Sequence, residues 1–125
     1  NEDYMNLQLL FRIYGGLSII NAVLFVLMTE TFLTMAGLRP TPGTVAIAQA
    51  LGTALLFIGI ISWRTPDIAG DALPAYGKLF AIGLLLFVGI IGYHVSIGIA
   101  SGPPAYGNLG VNIVLAVLFF MQSKK

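Results

Sequence analysis

Four long apolar stretches separated by short polar segments dominate the pattern of this chain. They are Leu7–Met28, Thr44–Trp63, Leu79–Ala100 and Tyr106–Gln122, and the only charged residue inside any of them is Arg12. Roughly 20 residues, each rising about 1.5 Å, cross the hydrocarbon core of a bilayer as a helix. The pattern therefore predicts an all-α fold, an integral membrane four-helix bundle that forms a single domain over residues 1–125.

The connections between these stretches are short, which favours antiparallel neighbours in an up-down-up-down order. The longest connection runs from Thr29 to Gly43. Its first half is amphipathic, because apolar side chains recur at Phe32, Leu33 and Met35. We expect a short helix there, lying in the membrane interface.

Composition agrees with the membrane interpretation and excludes several other classes. Hydrophobic residues make up 58% of the chain and charged residues 9%, whereas a soluble domain carries about 25% charged residues. The net charge of +1 gives no indication of a nucleic-acid partner, and the absence of cysteine excludes disulfides and thiolate ligands. No small-residue cleavage site follows the first stretch, so we expect it to remain in the mature chain.

The distribution of basic residues predicts the orientation. With four crossings, one side of the membrane carries Arg12, Arg64, Lys78, Lys124 and Lys125, and the other carries Arg39. Because an excess of Lys and Arg in short loops marks the cytoplasmic side, both termini are expected to be cytoplasmic. Arg12, near the start of the first stretch, is interpreted as an anchor that reaches back to the headgroups.

Small residues recur at four-residue spacing on three of the predicted helices. Helices in a membrane associate through close packing of small residues, because lipid tails are as apolar as leucine. The predicted helix-packing positions are Ala46, Ala50 and Ala54 on the second helix, Gly92, Ser96 and Ala100 on the third, and Ser18 and Ala22 on the first.

One strongly polar side chain lies deep inside each predicted span, and these are Asn21, Gln49, His94 and Asn112. With the predicted helix boundaries, all four fall roughly 8–12 Å below the outer boundary and form one polar layer. An unpaired amide or imidazole in hydrocarbon is costly, so the four are expected to point inward. Two interpretations remain open. The four side chains hydrogen-bond to one another and fix the register of the helices, or they line a small pocket for a ligand.

His94 is the candidate cofactor-binding residue. Gly89 and Gly92 precede it, and these glycines leave space beside the imidazole for a haem or a chlorophyll-type pigment. A single histidine makes neither a bis-histidine haem site nor a site for metal-activated water, so no metal centre is predicted. Without a ligand of this kind, lipid is the only bound molecule expected.

Catalysis finds little support in the sequence. The chain's Asp and Glu residues all lie outside the spans, which leaves no paired carboxylates for acid–base chemistry inside the membrane. No base neighbours a serine or threonine to activate it. The sequence therefore predicts a protein that is not an enzyme.

Two segments carry a resemblance to a known group. Phe32–Gly43, with its Gly37-Leu38-Arg39-Pro40 run, is followed by Ala48–Gly52 and by Ile61-Ser62-Trp63-Arg64. These segments resemble small bacterial four-helix membrane proteins that are loosely similar to the DoxX-like families. The resemblance implies a four-helix fold and a location in the bacterial inner (cytoplasmic) membrane.

Three functions follow as hypotheses. The first is a non-enzymatic accessory or stabilising subunit that packs in the membrane against other transmembrane subunits or against itself. The second is a protein that binds a hydrophobic ligand, such as a lipid, a quinone or a pigment, in the polar layer around His94. The third is a small transporter that acts as an oligomer.

Overall fold

The computed structural model describes residues 2–124, and all regular secondary structure in this range is helical. A short helix and one 3-10 turn, Gly70–Ala72, connect four long helices. The long helices are each long and apolar enough to cross a membrane. In chain order the helices are α1 (Glu2–Leu27), α2 (Thr29–Met35), α3 (Pro42–Ile68), α4 (Leu73–Ser96) and α5 (Gly102–Gln122). The prediction of an all-helical fold with four long apolar helices is confirmed, as is the short helix after the first of them.

All four long helices extend beyond the apolar stretches. Helix α1 begins at Glu2 rather than Leu7, α3 continues to Ile68, α4 begins at Leu73, and α5 begins at Gly102 rather than Tyr106. Hydropathy marks only the apolar part of a helix, and polar residues at its ends keep the same backbone conformation. The α3 extension passes through Pro66, which has no backbone N–H to donate to the preceding turn.

Helix α4 ends at Ser96, four residues before the predicted end. Gly98 has a φ of +79°, a left-handed conformation that glycine adopts without steric cost. The backbone N–H groups of Ile99 and Ala100 donate to the His94 carbonyl oxygen at 2.9 and 3.2 Å. These bonds satisfy an end-of-helix carbonyl and stop the helix there.

Helices α1 and α3 pack closely through glycines. A methyl group added at Gly59 would lie 3.1 Å from the Ser18 Cβ, and one added at Gly52 would lie 2.6 Å from the Val26 side chain. Higher residue numbers on α1 thus meet lower numbers on α3, so the two helices run in opposite directions. The Ser18–Ala22 face predicted on α1 contacts α3, because Ala22 also lies beside Gly52.

Helices α4 and α5 form the second pair. Gly77, in the first turns of α4, lies against Ser123 just after the end of α5, and Gly92 lies near Leu109. The Ser123 side chain is fully buried, and its hydroxyl has no hydrogen-bond partner among the described residues. The two helices therefore also pass one another in opposite directions, with their tightest approach at Gly77.

Aromatic rings join the two pairs at one end of the bundle. The Phe11 ring lies 4.9 Å from both the Phe80 and the Phe119 rings, centroid to centroid. Tyr14 lies 6.1 Å from Phe119 in the same way. The buried core around these rings consists of Leu7, Leu10, Phe11, Tyr14, Leu73, Ala81, Leu84, Leu115, Ala116 and Phe119. It occupies the end that carries the start of α1 and the end of α5, called here the terminal end; the opposite end is the α2 end.

Candidate functional site

Asn21 and Asn112, two of the predicted polar-layer residues, lie at the same level on facing sides of α1 and α5. Asn21 is seven residues beyond Tyr14, and Asn112 is seven residues before Phe119. Seven residues make nearly two full turns, so each amide is on the same side of its helix as that ring. Because the two rings are in contact, both amides face the region between the helix pairs, about 10 Å from the rings.

The region between the helix pairs is open at this level. Asn21 is exposed, Asn112 is half-buried, and Asn108, one turn nearer the α2 end, is exposed. Closer to that end, the Ser101 N–H donates to the Ala36 carbonyl oxygen at 2.8 Å, which ties the two pairs together again. We call the space between the aromatic rings and this tie the cleft. Asn21, Asn108 and Asn112 place uncharged amides on the sides of α1 and α5 that face it.

Gln49 and His94 lie elsewhere, nearer the α2 end. Gln49 lines a groove with Val26 and Leu27 at the end of α1, and His94 is in the last turn of α4. Within residues 2–124 no hydrogen bond joins the side chains of the four predicted polar-layer residues. The structure thus brings Asn21 and Asn112 to one level but does not assemble the four into one cluster. Helix α4 ends at Ser96 rather than Ala100, so His94 is two residues from its end, and the common depth of the four side chains in a membrane stays a prediction.

The surroundings of His94 leave room beside the helix. Its side chain is half-buried, and its ring centroid lies 5.7 Å from that of Tyr93. A methyl group at Gly89 would meet no atom within 4 Å, and one at Gly92 would meet only Leu109, at 4.0 Å. Among residues 2–124 there is no group of three or more metal-ligating side chains. Ligation of a pigment or a haem-type macrocycle by His94 stays a prediction.

The strongest charged cluster in the described chain is at the terminal end, and sequence reasoning did not identify it. The Arg12 guanidinium donates to Asp67 Oδ1 at 2.7 Å and to the Trp63 carbonyl oxygen, and it lies 5.1 Å from the centroid of the Trp63 ring. Arg64 Nε approaches Asp67 Oδ2 at 3.4 Å. Arg12 is ten residues into α1, so it is more than a headgroup anchor: it joins α1 to the end of α3.

Helix α3 carries small residues on two opposite faces. Ala48, Gly52 and Gly59 are buried, whereas Ala46, Ala50 and Ala54 are exposed. Positions two residues apart on a helix differ by about 200° in direction. The first face packs inside the chain, and the predicted alanine face points away from it. Packing of this outer alanine face against another helix stays a prediction.

The predicted packing face on α4 is shorter than expected. Ser96 is exposed and is the last residue of α4, with its hydroxyl donating to the Tyr93 carbonyl oxygen at 2.8 Å. Ala100 lies outside the helix, in the loop before α5. Only Gly92 remains within the helix at some distance from its end, so the three residues do not form a continuous helical face.

Compared with models of protein families, with curated proteins and with solved structures, the chain matches none of them. The groups that the structure exposes toward the cleft and the groove are amides, hydroxyls and one carboxylate, which bind by donating and accepting hydrogen bonds. The exposed alanine face of α3, at Ala46, Ala50 and Ala54, offers close packing instead.

Proposed function

We propose that this protein is an accessory or stabilising subunit of a larger membrane protein complex, without catalytic activity of its own. The four long helices account for most of the described chain, and the connections between them are short. Contacts made within the membrane are therefore its main means of recognising a partner, either another transmembrane subunit or a second copy of itself.

Membrane integration is supported by the surface of the helices. Large apolar side chains are exposed on every long helix, among them Leu27, Ile47, Leu86 and Phe120. In water such a surface would drive association, whereas lipid covers it at no cost. The helices then cross the bilayer in an up-down-up-down order.

The orientation is supported by the basic residues. Arg64, Lys78 and Lys124 lie at the terminal end, and Arg39 lies at the α2 end. By the excess of positive charge, the terminal end and both chain termini face the cytoplasm. A location in the bacterial cytoplasmic membrane follows from the resemblance of Phe32–Gly43 to small bacterial membrane proteins.

The observation that carries the proposal is the outward small-residue face of α3. The chain already uses one small-residue face of this helix, at Gly52 and Gly59, to pack against α1. The opposite face, at Ala46, Ala50 and Ala54, is exposed and has the four-residue spacing that allows close approach of another helix backbone. One helix thus has the surface for an internal and an external partner.

Enlarging the middle of this face is expected to release the partner. Ala50→Leu places a larger side chain where two backbones approach, and overpacking of this kind costs about 1–3 kcal/mol. We expect the fraction of the chain that co-purifies with a larger complex to fall about tenfold. Purification from native membranes in a gentle detergent, followed by native mass spectrometry, measures that fraction.

A matched control enlarges an exposed side chain on another helix. Val114 on α5 is 57% exposed, and Val114→Phe is expected to leave co-purification unchanged. Equal losses in both variants, or no loss in Ala50→Leu, contradict a role for the α3 face. A wild-type chain that migrates without any other protein contradicts the accessory-subunit proposal and leaves self-assembly or transport by an oligomer of this chain.

The cleft favours a second candidate function, the binding of a hydrophobic ligand with an uncharged polar head. Amides of Asn21 and Asn112 lie at one level there, above the Tyr14 and Phe119 rings. A quinone or the glycerol-ester region of a lipid offers carbonyl oxygens that amide N–H groups recognise. Apolar helices on both sides of the cleft would hold the hydrocarbon part.

This second function is tested with variants that keep the branched shape of the side chain and remove its polar atoms. Asn21→Leu combined with Asn112→Leu removes two hydrogen bonds, and we expect about tenfold less ligand to be retained. Asn6→Leu is the control, because Asn6 is exposed on α1 at the terminal end. Mass spectrometry of extracted lipids and quinones measures retention. Unchanged retention in the double variant contradicts a site in the cleft, and a pigment band lost only in His94→Ala places the ligand at His94 instead.

A further inference from the structure

A groove of about 350 Å³ opens at the α2 end of the bundle. The end of α1, the start of α2 and the first part of α3 form its walls, and its lining includes Val26, Thr29, Glu30, Val45 and Gln49. Volumes of about 300–1,000 Å³ are typical of small-molecule sites. The groove is therefore large enough for a lipid headgroup and the first part of its apolar chains.

The polar groups of the groove are the Glu30 carboxylate, the Gln49 amide and the hydroxyls of Thr29 and Thr31. Glu30 is the one charged residue among the groove's lining residues. The Thr29 hydroxyl is already used, since it donates to the Phe25 and Val26 carbonyl oxygens at 2.8 and 2.9 Å. The Glu30 carboxylate carries the groove's negative charge and accepts hydrogen bonds, so the groove suits a cationic donor at this residue.

The groove is charged at one end and more apolar further along. Glu30 is the second residue of α2, whereas Gln49 lies seven residues inside α3, about 10 Å from its start. Val26 and Val45 line the groove with Gln49. A molecule in the groove therefore meets a carboxylate at the bundle end and an amide with apolar walls further along, which fits a polar head joined to an apolar body.

We propose that this groove binds a membrane phospholipid whose headgroup carries a primary ammonium. A primary ammonium has three N–H donors and a positive charge, which match the Glu30 carboxylate at the bundle end. The Gln49 amide, further along the groove, donates to the phosphate or ester oxygens of the same lipid. A quaternary ammonium has the charge without the donors, and an anionic headgroup is repelled by Glu30. Lipid binding is measured on the purified chain without any partner, so this proposal can fail while the accessory-subunit proposal stands, and the reverse.

The test uses the purified full-length chain in vesicles of equal parts phosphatidylethanolamine, phosphatidylcholine and phosphatidylglycerol. Native mass spectrometry counts the lipids that remain bound. We expect phosphatidylethanolamine to be enriched about fivefold over each of the other two lipids, as an ion pair at an exposed site with added hydrogen bonds allows. Glu30→Gln should abolish the enrichment, whereas Gln49→Leu should lower the retention of all three lipids and leave the enrichment unchanged.

Glu2→Gln is the matched control, because it removes the same charge on the opposite end of the bundle, and it should keep the enrichment. Enrichment that persists in Glu30→Gln overturns the proposal, and so does equal retention of phosphatidylethanolamine and phosphatidylcholine, since the latter has no N–H to donate. Circular dichroism confirms that each variant keeps its helix content. Glu30 and Gln49 are both exposed, so neither substitution removes a buried contact.

Discussion

Replacing Gly15 with alanine is expected to destabilise the protein by about 1–3 kcal/mol, the usual cost of forcing a methyl group into a packed interface. The added carbon would lie 2.7 Å from the Trp63 backbone nitrogen and 2.9 Å from the Gly59 carbonyl oxygen. Backbone atoms on a helix have no rotamer to move into, so α1 and α3 must separate. Equilibrium unfolding in mixed detergent micelles measures the change.

Gly83→Ala is the control, and we expect it to raise the free energy of unfolding rather than lower it. A methyl group at Gly83, in the middle of α4, would meet no atom within 4 Å. Replacing a helical glycine with alanine lowers the backbone entropy lost on folding and stabilises by roughly 0.5–1 kcal/mol. If both variants shift the unfolding midpoint in the same direction, close α1–α3 packing at Gly15 is not what limits stability.

The four helices were predictable because their apolar stretches are long and almost free of charge. The faces through which these helices pack were only partly predictable. Ser18 and Ala22 on α1 were identified by four-residue spacing, whereas the partner face on α3 uses Gly52 and Gly59, seven residues apart. The more regular alanine series on α3 points outward. Small-residue spacing shows where a backbone can approach, but it does not indicate which of two faces the chain uses for itself.

Helix ends were the least predictable part of the fold, and they decide where a residue lies along its helix. Placing the end of α4 at Ala100 put His94 well inside the span, but Gly98 turns the chain earlier. The alignment of Asn21 with Asn112 depends on the contact between Tyr14 and Phe119. That contact sets how far α1 is shifted along α5, and nothing in either helix alone specifies such a shift.

The Arg12–Asp67 pair shows a second reason for incomplete prediction. Asp67 was placed outside the spans because the apolar stretch ends at Trp63, but α3 continues to Ile68. The extension brings a carboxylate 2.7 Å from the guanidinium. Two opposite charges at the same predicted end were a signal for this pair, although a pairing between distant helices depends on which helices are neighbours.

Packing is distributed unevenly along the bundle, and this bears on where a ligand can bind. The aromatic core and the Arg12 cluster fix the terminal end, where helices from both pairs meet. Toward the α2 end the pairs separate at Asn21, and the groove at Glu30 and Gln49 opens. Both candidate ligand sites therefore lie in the less densely packed half, while the terminal half holds the four long helices in register.

The terminal half should consequently dominate stability, and Phe119→Ala is expected to cost about 3–5 kcal/mol, as typical for a buried aromatic residue. Phe119 is fully buried, and its ring contacts those of Phe11, Tyr14 and Phe80. Removing it leaves a cavity where α1, α4 and α5 meet, and it also removes edge-to-face ring contacts. Unfolding in mixed detergent micelles again measures the loss.

The neighbouring residue supplies the control, since Phe120 is 60% exposed and Phe120→Ala removes the same atoms from the surface. Detergent tails fill the space that the ring leaves, so we expect a change within about 0.5 kcal/mol, as at other surface sites. Both variants remove the same atoms, so the difference between their free energies of unfolding measures the contribution of packing around the Phe119 ring. Equal losses would mean that the Phe119 ring is not enclosed by α1 and α4, and the aromatic core would then not be what joins the two helix pairs.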